Sequence, residues 1–164
     1  MRATSPKKPI EILLRMLDEA YDHRAWHGTN LRGALRGQTA RQAAWRPAPK
    51  RHNIWELALH TAYWKYAVRR RLTGEKRGSF ALAGSNWFER PAGPPVEEAW
   101  RADRALLERA HRELRAAVEK LSPADLGRRA SGLKTAPFDL ILGVAFHDVY
   151  HAGQIHLLKR LQKN

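Results

Sequence analysis

With 164 residues and no cysteine, the chain excludes disulfides, thiolate metal sites and a cysteine nucleophile, yet it is long enough for one domain with a sizeable core. Thirty Lys and Arg against sixteen Asp and Glu leave a net charge of +14, which attracts polyanions and biases small-molecule binding towards anions. The basic residues are scattered apart from Lys7-Lys8 and Arg69-Arg70-Arg71, and no motif that reads RNA or DNA accompanies them. The longest apolar run, residues 140–146, is far too short for a bilayer span, and the lack of cysteine suits a reducing cytoplasm.

Residues 1–9 are basic and polar without an apolar centre, so they are expected to form a disordered lead-in to a single domain over residues 10–164. Ile10, Leu13, Leu14, Leu17, Tyr21, Leu31 and Leu35 recur at helical spacing and predict a first long helix over residues 10–35. Thr39 suits the cap of a short helical turn, and a linker with Pro47 and Pro49 follows. Asn53 is the expected N-cap of a second helix over residues 54–72, with Glu56 as its back-bonding partner and Thr73-Gly74 as the stop. The long connection over residues 74–95 places Phe80, Trp87 and Phe88 among glycines and prolines. A loop of that length is usually functional or self-packed, and these aromatics are expected to plug the core at one end of the domain.

A third helix is expected after Pro94-Pro95, with Val96, Trp100, Leu107, Ala110, Leu114, Val118 and Leu121 as its apolar stripe. Ser122-Pro123 ends it or begins a short turn. A fourth helix starts near Pro137, a favoured first-turn residue, and runs to about Leu161. Strand alternation is absent. The predicted fold class is therefore all-α: a four-helix bundle, mostly antiparallel, with a long loop between the second and third helices.

Two histidine pairs have the i, i+4 spacing that places both rings on one helix face: His23 with His27, and His147 with His151. His23 points away from the stripe of its helix and His27 lies at the edge, so that pair is expected in solvent. His147 and His151 fall within the apolar row of Leu140, Val144 and Leu158, where two unpartnered imidazoles would be costly and a metal would satisfy both. On the second helix Leu57, His60 and Trp64 form one inward row, which makes His60 the candidate third ligand. His52, His111 and His156 fit less well: the first precedes the helix cap, the second shares a face with charged neighbours, and the third swings off the ligand face. Satisfied core histidines are the plain alternative to a metal site.

Two phrases carry a family resemblance over almost the whole chain. Trp45-Arg46-Pro47 leads to Asn53-Ile54-Trp55-Glu56-Leu57 and then His60, and the closing helix reads His147-x-x-x-His151-x-Gly153-Gln154-Ile155. In their order and spacing the chain resembles the DinB-like metalloprotein superfamily, which includes bacterial small-thiol S-transferases. The resemblance implies a four-helix bundle with a divalent metal on His60, His147 and His151, often in a homodimer.

Three neutral imidazoles leave coordination positions open, the pattern of a catalytic site, and all-nitrogen ligation suits zinc, nickel or iron. Such an ion creates a nucleophile from water or thiol near neutral pH, so a low-molecular-weight thiol S-transferase and a hydrolase are both compatible with it. The excess of arginine suits an anionic small-molecule substrate or the carboxylates of a thiol co-substrate. Asp103 lies in the third helix's stripe, where it either orients a ligand imidazole or pairs with an arginine. Asp148 and Gln154 are weaker candidates for supporting the ligands, with Gln154 near enough in angle to line the cavity. Tyr150 is expected to pack on a neighbouring helix, and Trp26 and the Trp87 loop are candidates for exposed aromatic surface. The competing reading is a non-catalytic basic helical module that binds nucleic acid or another polyanion.

Overall fold

The computed structural model describes residues 8–129 and 134–163, and among these the fold is all-α, with seven helices and no strand. The expected lead-in over residues 1–9 lies largely outside the described residues. Its last two, Lys8 and Pro9, already belong to helix α1 (Lys8–Tyr21), whose Ile10, Leu13, Leu17 and Tyr21 turn inward at steps of three and four.

The first helix expected over residues 10–35 is two helices. Asp22 and His23 both send their N–H groups to the Asp18 carbonyl and end α1. Gly28 then takes φ +105°, a backbone that disfavours any side chain. Asn30 starts α2 (Leu31–Leu35), its Oδ1 accepting from the Gly33 N–H at 2.8 Å. Leu31 and Leu35 do face the core, but from a new helix, and Trp26 in the break is fully exposed.

Thr39 caps α3 (Ala40–Ala44) with a capping box closed by Gln42. Asn53 caps α4 (Ile54–Thr73), and Gly74 ends it at φ 75°. Glu56 does not bond back to that cap. Its carboxylate is taken by the guanidinium of Arg46, by His52 Nδ1 at 3.0 Å and by the Arg90 N–H at 3.2 Å. Burial pushes the Glu56 carboxyl up, but the hydrogen bonds from Arg46 and His52 outweigh it and hold the group below its usual range.

No helix lies between α4 and α5 (Glu97–Glu119). Phe80 and Phe88 from this connection pack on Tyr63 at ring separations of 5.4 and 5.8 Å, which closes the core as the sequence suggests. Val96, expected in the buried stripe, is instead the exposed N-cap of α5. A single turn, α6 (Pro123–Gly127), precedes α7 (Pro137–Leu161).

Helix α4 is the centre of the molecule. It packs on α5 along one side and on α7 along another, while α1 lies across α5 and α7. This explains why α4 is buried nearly all round, from Trp55 to Val68. A fully buried ion pair between Lys65 of α4 and Asp148 of α7 fixes the two helices in register. Among the described residues no helix is long and apolar enough to cross a membrane.

Candidate metal centre

Helices α4 and α7 bring His60, His147 and His151 together. His147 Nε2 lies 3.0 Å from His60 Nε2 and 3.0 Å from His151 Nε2. His60 and His151 are buried and His147 half-buried, and the three offer ligand atoms within 4.8 Å of one another. Nitrogens held ~2.0–2.1 Å from one ion stand about 3 Å apart, so the spacing fits a shared metal.

The hydrogen bonds behind the rings decide where the lone pairs point. His60 Nδ1 lies 2.9 Å from the Asn86 carbonyl, which only accepts, so Nδ1 carries the proton and Nε2 is a bare lone pair. His151 Nδ1 donates in the same way to Gln154 Oε1 at 2.7 Å. A single proton on His147 Nε2 satisfies at most one of its two neighbours, and His147 Nδ1 is buried with no hydrogen-bond partner among the described residues. The three Nε2 atoms therefore form an electron-rich cluster that a cation would complete.

Burial also keeps the rings neutral. It lowers His60 to about 4, with the Asn86 hydrogen bond opposing and His151 reinforcing. It lowers His147 to about 3, helped by His151 and His60, and it lowers His151 against the opposing Gln154 bond. Neutral imidazole is the form that ligates metal.

The loop between α4 and α5 supplies parts of the site that the sequence did not reveal. Asn86 adopts φ 66°, a left-handed backbone that asparagine tolerates better than most residues. That turn aims its carbonyl at His60, while its Oδ1 accepts from Trp64 Nε1 at 2.9 Å. Trp87 is not exposed surface: it is stacked between two imidazoles, 3.8 Å from His60 and 3.6 Å from His52. The one sequence signal was an asparagine beside tryptophan in a long Gly- and Pro-rich loop.

Of the supporting candidates, Gln154 is in contact with the triad, and Asp103 and Asp148 are held elsewhere. Asp103 accepts from Trp55 Nε1 at 2.7 Å and Arg90 Nε at 2.9 Å, the arginine pairing among the two expected roles. Asp148 faces Lys65, and burial pushes its carboxyl up to about 6 although Lys65 pulls the other way. Tyr150, expected to pack on a neighbouring helix, is instead exposed. His23 and His27 are exposed as expected. His111 departs from its expected place, being buried and stacked on Tyr21 at 3.9 Å.

Two cavities flank the triad. One of about 420 Å³ lies between α4 and α7 and reaches His60 and His147. The other, about 510 Å³, reaches His151 and Gln154 beside Trp87. Together the helical fold and the histidine cluster define an all-α protein with a candidate three-histidine metal centre beside open space. The family model of the DinB superfamily matches residues 8–155, nearly the whole chain, and the protein belongs to that superfamily. Comparison with the curated proteins and with the solved structures gives no match.

Proposed function

We propose that this protein is a divalent-metal-dependent small-molecule enzyme of the DinB superfamily, a thiol S-transferase or hydrolase in type, with His60, His147 and His151 as metal ligands. The observation that carries the reading is the convergence of three Nε2 atoms, two of them with Nδ1 committed to fixed acceptors. Zinc, nickel or iron suits this nitrogen set. Bound there, such an ion would supply Lewis acidity and a lowered pKa for a water or a low-molecular-weight thiol.

The chain's own residues prepare the site. Asn86 and Gln154 fix the tautomer of His60 and His151, and Trp87 shields one face of His60 from water. The cavity between α4 and α7 gives a substrate access to the side where His60 and His147 meet. The +14 charge favours an anionic substrate.

The proposed architecture is a single four-helix-bundle domain built on α1, α4, α5 and α7, located in the cytoplasm. A homodimer is supported by the exposed apolar stripe of Phe146, Tyr150, Leu157 and Leu161 on α7. The function is tested by assaying thiol transfer and hydrolysis with zinc-, nickel- and iron-loaded protein beside a His147→Ala/His151→Ala variant. Turnover that needs both metal and the two histidines is the expected result. Salt-sensitive nucleic-acid binding with no metal requirement and no turnover would instead favour the basic-module reading.

A further inference from the structure

The cavity between α4 and α7 changes chemistry along its length. His60, Trp64, Val68 and Arg71 lie at steps of three and four on α4, so they line one side in order. Helix α7 runs the other way, with His147 opposite His60 and Leu140 near the Val68 end. The groove is thus imidazole at one end, apolar in the middle and charged at the other. Arg71 lies eleven positions beyond His60 on the helix, about 16 Å of axial rise.

Arg71 stands out within its own run of arginines. Arg69 pairs with Glu75 and Glu113, and Arg70 donates to the Glu75 carbonyl. Among the described residues no carboxylate pairs with Arg71, whose guanidinium sits 5.9 Å from the Trp64 ring. Asp139 lines the same end but is exposed, and it opposes a second negative charge there. Gly143 on α7 leaves the groove open, since a Cβ at that position would meet nothing within 4 Å.

We propose that this groove binds an amphipathic monocarboxylate, its carboxylate on Arg71, its apolar body against Trp64, Val68 and Val144, and its other end facing His60 and His147. The orientation rests on the metal reading above; the Arg71 subsite and the apolar channel do not. A guanidinium with no carboxylate partner among the described residues offers a bound carboxylate two parallel N–H donors. The apolar middle rewards a hydrocarbon segment and gives a fully polar polyanion nothing to bury.

The test is calorimetric titration of tag-free, zinc-loaded protein with three hydroxamates. Acetohydroxamic acid reads the metal alone, octanohydroxamic acid adds the chain, and suberic acid monohydroxamate adds the carboxylate at equal length. Affinity is expected to rise at each step, the last by about tenfold for one charge-assisted contact at a partly exposed site. Arg71→Leu should abolish the last step only. Gly143→Leu fills the groove without touching charge, and it should abolish both gains while leaving acetohydroxamic acid unaffected. A suberic acid monohydroxamate no tighter than octanohydroxamic acid, or a last step that survives Arg71→Leu, overturns the proposal. If acetohydroxamic acid fails to bind, the metal reading falls, and octanoate titrated into metal-free wild type and Arg71→Leu decides the groove alone. Tighter binding to wild type upholds the subsite, and equal or absent binding overturns it.

Discussion

His151 Nδ1 donates to Gln154 Oε1 at 2.7 Å, from a residue three positions further along the same helix. The contact leaves His151 Nε2 without a proton and turned towards His147, so a local helix spacing sets both the tautomer and the aim of a ligand ring.

Replacing Gln154 with Leu should lower zinc affinity by roughly 10–100-fold, because the ring loses its orienting acceptor. Gln154→Glu, which keeps an acceptor at the same reach, should retain most of the affinity. Competition titration against a chromogenic chelator reads both variants, and equal losses in the two would show that the acceptor does not matter.

Towards His60, Asn86 acts through its backbone carbonyl, while its side chain serves Trp64. Asn86→Gly keeps both the φ 66° conformation and the carbonyl that accepts from His60, so metal affinity should stay within a few-fold of wild type. Asn86→Val places a β-branched residue in a left-handed backbone and should cost ~1–3 kcal/mol in urea unfolding, together with weaker metal binding. A valine variant as stable as the glycine one would contradict this role.

The Lys65–Asp148 pair is completely buried and ties the helix of His60 to the helix of His147 and His151. Lys65→Met leaves Asp148 alone in the core and should destabilise the protein by about 3–5 kcal/mol. The double variant Lys65→Met/Asp148→Leu should recover much of that loss, because it removes both charges. Chemical unfolding of the three proteins measures the coupling; additive losses would argue against a mutually compensating pair.

How far the sequence revealed this arrangement depended on whether a contact was local. His147 and His151 were legible because both fall in the apolar row of one helix, and His60 because it shares an inward row with Leu57 and Trp64. Gln154 followed from its angle relative to His151. Asn86 and Trp87 were not legible, since a loop turn delivers them to His60 from 26 and 27 positions away. Asp148 adjoins His147 in sequence, yet the rotation between successive helix residues sends it to Lys65 instead. The all-α class and most helix limits came from periodicity and caps. The break after Tyr21 did not, because Leu31 and Leu35 still face the core and so continue the apolar pattern across a gap. Glu56 had the sequence position of a capping-box partner, but distant Arg46 and Arg90 outbid the cap.

His111 should make the fold acid-sensitive independently of any metal. Burial, with Lys65 and Arg115 adding positive charge nearby, holds its imidazole far below the usual value near 6.5, although Asp18 lies 4.0 Å away. The unfolded chain takes up this proton below about pH 6.5 and the folded chain does not. This contribution is therefore fully present above pH 6.5 and is lost as the pH falls, by up to ~1.4 kcal/mol per pH unit. His111→Phe preserves the stack on Tyr21 and should make stability fall less steeply between pH 6.5 and 4.5. Thermal unfolding of the metal-free protein across that range checks it, and an unchanged slope would contradict it.

The central claim is that three histidines hold a metal, and elemental analysis of tag-free protein tests it most directly. Wild type and His147→Ala/His151→Ala would be reconstituted with zinc, nickel or iron in turn, dialysed and analysed side by side. The expected result is near-equimolar metal in the wild type and none in the variant. Wild type that is metal-free after all three reconstitutions, or a folded variant that retains as much metal as wild type, would contradict the site.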